Sequence, residues 1–275
     1  MKDIHSNPEK IIKISITNAE FSCRVLGNGK KNVIAFHGFG QVGNAFLPVS
    51  NKNPNFTIYS FDLPFHGRTI VYDPSRCFPP SESIELIQKL IDLKEIDQFS
   101  LLGFSIGSKL IYPVLDRFHA KIEDVWLLAP DGININFWYQ IAIGSRLTRF
   151  FFQRLLNNYQ LLKRIGKGML SINIIDRETL SFSLKSINTP EKRVQVFQIW
   201  TYIRRIELIS EKAIINLNQS KVNFYFVMGK RDKIIPRSKI ELFAKKISNS
   251  KIIILACGHQ GIIKLFADWS CRNYK

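Results

Sequence analysis

The chain is 275 residues long, 45% hydrophobic and 12% aromatic, with 39 Lys and Arg against 22 Asp and Glu for a formal net charge of +17. A chain of this length buries enough surface to fold as one large domain, alone or with an insertion, without a disulfide or metal staple, and its apolar content excludes intrinsic disorder and low-complexity architecture. The charge is spread through a sequence rich in Ile, Asn and Lys, and no nucleic-acid recognition motif accompanies it, so no nucleic-acid partner is expected.

At the N-terminus, Asp3, Pro8 and Glu9 precede any apolar run, which is the wrong order for a signal peptide. No stretch approaches the roughly 18 uncharged apolar residues that span a bilayer, so no transmembrane segment is expected. Cys23, Cys77, Cys257 and Cys271 are scattered, with no CxxC pair. They read as reduced thiols of a cytoplasmic protein, and neither a metal site nor a cofactor is indicated.

Two short apolar segments, 11–17 and 21–26, flank Asn18-Ala19-Glu20 and predict an opening hairpin. Continuous apolar runs follow at 33–36, 56–61, 99–103 and 124–128, the pattern of parallel strands covered on both faces. Between them, Ile84, Ile87 and Ile91 recur at helical spacing after the breaker Pro79-Pro80-Ser81. The rhythm then breaks. From about Gly132 to Glu211 the sequence carries Phe137-Trp138-Tyr139, the spaced apolars Leu147, Phe151 and Leu155, and no convincing strand. Strand and helix alternate again afterwards, with strands at 222–228 and 251–256 and helices at 239–247 and 262–269. The expected architecture is α/β: a mostly parallel central sheet with helices on both faces, built from residues 1–131 and 212–275, and a helical cap inserted at 132–211.

The sharpest chemical signal is Gly103-Phe104-Ser105-Ile106-Gly107, directly after one apolar run and directly before a helical pattern. A serine on a tight strand-to-helix turn has its hydroxyl pushed out above the sheet, and the flanking glycines avoid collision with neighbouring backbone. His37-Gly38-Phe39-Gly40 follows the run at 33–36, where the backbone N–H of Phe39, with that of Ile106, could meet a developing oxyanion. In 61-FDLPFHGRT-69, His66 reads as a residue holding loops beside the site. Past the cap, 229-GKRDKIIP-236 puts Asp232 just beyond a strand, and 257-CGHQG-261 puts His259 just beyond the next. Asp131 is a rival acid, because it follows the strand ending at Leu128 and opens the cap. His5 and His119 have no motif around them.

These five motifs, in this order and at these spacings, resemble the α/β-hydrolase superfamily from about Val33 to the C-terminus, in its branch with a helical cap between the sixth and seventh sheet strands. The resemblance implies a nucleophile at Ser105, an acid at Asp232, a base at His259 and an oxyanion hole from the backbone of Phe39 and Ile106. Phe104, Trp138 and Phe151 are candidates to contact substrate. The sequence departs from the family pattern at Ser108, where a second small residue is common, and at Pro113, which should kink or shorten the following helix.

The expected activity is that of a serine hydrolase cleaving a carboxylic ester or related acyl compound through an acyl-enzyme. The alternatives are a triad enzyme acting on a non-ester substrate, by C–C bond hydrolysis or proton abstraction in cofactor biosynthesis, and a non-catalytic binding protein on the same fold. A serine nucleophile argues against haloalkane dehalogenase and epoxide hydrolase chemistry. The partner expected is a small acyl substrate. Residues 141–170 carry Arg146, Arg149, Arg154, Lys163, Arg164 and Lys167 and no Asp or Glu, so the cap could weakly attract an anionic substrate, an acyl carrier or a lipid surface.

Overall fold

The continuous apolar runs fold as the parallel strands of a single sheet. The computed structural model describes residues 10–133, 137–206 and 209–274, with only the backbone of residues 137 and 138. Nine strands pair: β1 (Lys10–Ser15), β2 (Ala19–Leu26), β3 (Lys31–Phe36), β4 (Phe56–Phe61), β5 (Ile70–Val71), β6 (Phe99–Phe104), β7 (Ile122–Leu128), β8 (Asn223–Gly229) and β9 (Ser250–Leu255). Their spatial order is β1-β2-β4-β3-β6-β7-β8-β9, with the two-residue β5 beside β2. The opening hairpin and the β2–β4 and β2–β5 pairs are antiparallel. Every pairing from β4 to β9 is parallel.

The helices, in chain order, are α1 (Leu47–Lys52), α2 (Pro80–Lys94), α3 (Tyr112–Phe118), α4 (Phe137–Gly144), α5 (Arg146–Asn157), α6 (Tyr159–Ser171), α7 (Arg177–Ser186), α8 (Pro190–Tyr202), α9 (Glu211–Gln219), α10 (Arg237–Ala244) and α11 (Ile262–Asn273). Successive strand residues point to opposite faces, and both faces are covered. On one face Ile34, Leu101, Leu127 and Phe226 pack with Leu86 of α2, Leu115 of α3, Leu217 of α9 and Ile240 of α10. On the other, Val33, Leu102, Trp126 and Val227 pack with Val49 of α1 and Phe266 of α11. Only the edge is open: on β9, Ile252 and Ile254 are 36% and 41% exposed.

Between β7 and β8 the chain runs through α4 to α9, with no strand among the described residues. The end of this stretch returns to the sheet-side core, where Ile199, Tyr202, Ile203 and Ala213 are fully buried. The Phe78 N–H donates to the Tyr202 carbonyl at 2.8 Å, and the Tyr202 ring meets Phe65 and Phe78. Pro113 shortens its helix, as its ring demands. Residues Ser105–Leu110 form a 3-10 helix, and α3 starts afresh with Pro113 in its first turn, where a missing N–H breaks no intrahelical bond.

Leu101 is fully buried in the centre of the sheet. Leu101→Ala is expected to destabilise the fold by about 2–5 kcal/mol through lost transfer energy plus a cavity. Ile252→Ala, on the half-open edge, should cost under about 1 kcal/mol. Urea midpoints with an unchanged m-value check both.

Candidate active site

Ser105 follows β6 directly, and its backbone is left-handed, with φ of 51°. For a residue with a Cβ this conformation costs roughly 1–2 kcal/mol, and the packing on either side enforces it. A Cβ on Gly107 would lie 2.3 Å from the carbonyl oxygens of Phe36 and His37. One on Gly103 would lie 2.8 Å from Ser108 Cα and Ile111 Cδ1. The turn therefore sits hard against the end of β3, which brings Ser105 beside the loop carrying Phe39.

Asp232 lies three residues past β8, and His259 opens a 3-10 turn between β9 and α11. His259 Nδ1 is 2.7 Å from Asp232 Oδ2, and His259 Nε2 is 3.2 Å from Ser105 Oγ. A carboxylate only accepts, so Nδ1 carries the imidazole proton and Nε2 accepts from the serine hydroxyl. The side chains of His259 and Asp232 are 6% and 1% exposed. The other carboxylate oxygen, Oδ1, accepts the N–H groups of Ile234 at 2.8 Å and Ile235 at 3.2 Å, which fixes the carboxylate plane. The rings of Phe104 and Phe182 flank the imidazole, with centroids 5.0 and 5.6 Å away.

Asp131, the rival acid, is occupied elsewhere. Its Oδ1 accepts the Gly132 N–H at 2.7 Å, and its backbone N–H donates to the Ser105 carbonyl at 3.1 Å. It lines the cavity beside Ser105 and makes no bond to His259.

The loop after β3 is fixed by two buried histidines and one buried carboxylate. His37 Nδ1 faces the Gly38 carbonyl at 2.8 Å, and its Nε2 accepts the Leu63 N–H at 3.1 Å. His66 Nδ1 faces the Pro64 carbonyl at 2.9 Å, and its Nε2 accepts the Gly40 N–H at 3.1 Å. Each ring nitrogen facing a carbonyl must carry a proton and each facing an N–H must be bare, so both rings are neutral. Burial, then the nearby His66, pushes His37 from 6.5 down to about 3, and burial lowers His66 as well. Asp62 Oδ1 accepts from Arg24 Nη1 at 2.6 Å and the Gly43 N–H at 2.7 Å, while Oδ2 accepts the Arg68 N–H at 3.0 Å. This carboxylate joins β2 to the loops after β3 and β4. His66 thus holds loops together, with the Phe39 ring edge-on to it at 5.4 Å.

A cavity of about 1100 Å³ opens above these groups. Phe39, Ser105 and Ile106 form its floor, and Phe152, Leu156 and Phe182 from the inserted helices enclose it. Among the described residues, no acceptor engages the backbone N–H of Phe39 or of Ile106, so both donors are available to a ligand oxygen. Among the same residues, no three His, Cys, Asp or Glu side chains converge as metal ligands.

The three candidate substrate contacts fare differently. Phe151 is 60% exposed and turns away from the cavity, a correction to the sequence reading. The inward face of α5 carries Arg149, Phe152 and Leu156, at helical spacing i, i+3 and i+7, and Phe151 falls on the opposite side against Phe150. Phe104 is 4% exposed and lies behind the imidazole; it is absent from the cavity wall. The side chain of Trp138 lies outside the described residues, as does His5. Sequence reasoning missed Lys109, Tyr139, Phe182 and Arg204, all of which line the cavity. Lys109 alone left a trace, as a lone cation inside the apolar run 101–115.

The profile of the alpha/beta hydrolase fold family matches residues 31–264. Human monoacylglycerol lipase ABHD6 is 21% identical over a gapped alignment of 277 positions, covering 89% of this chain and 74% of the relative. The pimeloyl-[acyl-carrier protein] methyl ester esterase of Hamiltonella defensa is 22% identical, with 86% of each chain covered. A thermophilic esterase from Thermogutta terrifontis shares the fold with a TM-score of 0.64 at 15% identity, over 96% of each chain. Among the described residues, no helix is long and apolar enough to cross a membrane.

The neutral histidines give the fold a pH dependence. Between pH 6.5 and about 3 the unfolded chain binds a proton at His37 that the native state refuses, so stability falls as the pH drops through that window. The slope expected is about 1.4 kcal/mol per pH unit for each such histidine. Urea midpoints taken from pH 7 down to pH 4 check this, and His37→Asn should flatten the profile by about one proton.

Proposed function

The chain belongs to the α/β-hydrolase fold family, and from that premise we propose that it is a serine hydrolase of carboxylic esters or related acyl compounds, using Ser105, His259 and Asp232. The observation that carries this reading is the unbroken hydrogen-bond path from Asp232 through His259 to Ser105, ending at the floor of the cavity. The similarity to an esterase and a lipase supports the same class.

In this mechanism Ser105 Oγ attacks the acyl carbonyl as its proton passes to His259 Nε2. The bond between Nδ1–H and Asp232 holds the imidazole in the tautomer that can accept this proton, and the carboxylate stabilises the imidazolium. The carbonyl oxygen, now an anion, takes the N–H groups of Phe39 and Ile106, each worth about 2.7–4 kcal/mol at the transition state. The imidazolium returns its proton to the leaving alcohol, and the acyl group stays on Ser105. Water, deprotonated by the same histidine, then releases the acid. We take residues 132–211 as the lid of this site: they contribute Phe152, Leu156 and Phe182, whose apolar surface suits an acyl chain and excludes water from the imidazole.

A fluorophosphonate probe should label Ser105 covalently, and Ser105→Ala should abolish both labelling and p-nitrophenyl ester turnover. Asp232→Asn should lower kcat by about 10³–10⁴-fold, whereas Asp131→Asn should change it by less than about tenfold. Full ester turnover in Ser105→Ala would overturn the assignment. Labelling without turnover of any ester would point instead to a triad acting on a non-ester substrate.

A further inference from the structure

The cavity over Ser105 is cationic, although it is built for an acyl chain. Among the described residues its wall carries five Lys and Arg side chains and a single carboxylate, that of Asp131. Three of the cations come from three separate elements: Lys109 from the 3-10 helix behind Ser105, Arg149 from α5, and Arg204 from the turn after α8.

None of the three has a carboxylate within 4.0 Å among the described residues. Lys109 is 5% exposed; among the described residues its Nζ meets the Tyr139 hydroxyl at 3.4 Å and the Tyr139 ring at 4.6 Å, and it feels the Asp131 charge. Each guanidinium spends one donor on a backbone carbonyl, Arg149 on Ile143 at 2.7 Å and Arg204 on Thr201. A guanidinium has five N–H donors in a planar fork, so most of each fork is left over. The two arginines also feel each other: desolvation, then the charges of Arg204 and Arg146, hold Arg149 below the ordinary guanidinium range.

Five cations grouped in a partly dry cavity with one carboxylate, that of Asp131, which acts on Lys109, carry an excess of positive charge that is electrostatically unfavourable until an anion enters. We propose that Arg149, Arg204 and Lys109 form a subsite for an oxyanion, a carboxylate or phosphate, carried by the substrate apart from the scissile ester. This rests on the reading of the cavity as the substrate site of an ester hydrolase, and it names the substrate class: acyl esters with a second, anionic end. Because Lys109 belongs to the nucleophile turn and Arg149 to the inserted helices, one bound anion ties the two together over Ser105.

The test compares p-nitrophenyl butyrate with mono-p-nitrophenyl glutarate, which share a leaving group and differ by a terminal carboxylate. The acidic ester should have the higher kcat/KM by about tenfold or more, the scale of a charge-assisted bidentate contact. The acidic-to-neutral ratio should fall to about one in the double variant Arg149→Gln and Arg204→Gln, and stay partly above one with Lys at both positions. Phosphonate labelling of Ser105 reports that each variant is folded. Competition against the neutral ester separates the anion types: stronger inhibition by glutarate identifies a carboxylate subsite, and by glycerol 3-phosphate a phosphate subsite. A ratio of one or less in the unmodified protein, a ratio kept by the double Gln variant, or inhibition by neither anion overturns the proposal. If neither ester is hydrolysed at all, the ester reading fails by itself. Calorimetric titration of Ser105→Ala with both anions then decides the subsite: binding that disappears with the two arginines supports it, and no binding at millimolar concentration rejects it.

Discussion

The hydrogen-bonded register of the parallel strands is the constraint from which the site follows. Phe36 pairs with Gly103, Phe104 with Leu128, Leu128 with Val227 and Gly229 with Leu255, so β3, β6, β7, β8 and β9 end along one line. Each strand hands its chain to a loop on that line, and residues 154 positions apart come within hydrogen-bonding distance. A slip of one residue in any pair would exchange the side chains packed on the two covered faces, so the same packing that stabilises the sheet also aligns the chemistry. The left-handed backbone at Ser105 is sustained by this arrangement, since Gly107 is pressed against the end of β3.

A second layer of constraint sits under the loop after β3. Three segments distant in sequence converge on the Asp62 carboxylate, and two neutral histidines use both ring nitrogens on backbone groups. A buried charge with this many donors is costly to assemble and costly to disturb. It leaves the peptide at Phe39 little freedom to rotate, the stiffness that its proposed role as an oxyanion donor requires.

The sheet and its ordered motifs were legible because their signals are local. A strand covered on both faces is apolar at most positions, and a serine turn pressed between backbones has glycines beside it. The two-residue β5 was invisible, being too short to show a period. Phe151 was misread for a definite reason. The helix that carries it is amphipathic, with Leu147, Phe151 and Leu155 at spacing i, i+4 and i+8 on its apolar side, and Leu147 and Phe151 on that side are exposed, so the spacing pointed to the side that does not face the cavity. The charge was misleading in a similar way. Arg146 and Arg154 are exposed while Arg149, on the same helix, lines the cavity, and the count of +6 over residues 141–170 weights them alike. Lys109 and Arg204 lie outside residues 141–170, and only the fold brings them beside Arg149 in the cavity wall.

His259 follows β9, the edge strand and the last of the nine to appear along the chain. The serine turn belongs to the middle of the sheet and is complete once β3, β6 and the segment between them have paired. On the proposed reading the nucleophile therefore exists during synthesis well before its base, which arrives only with the turn after β9. On that reading the appearance of activity is in effect a timestamp for closure of the last sheet edge, the β8–β9 pair.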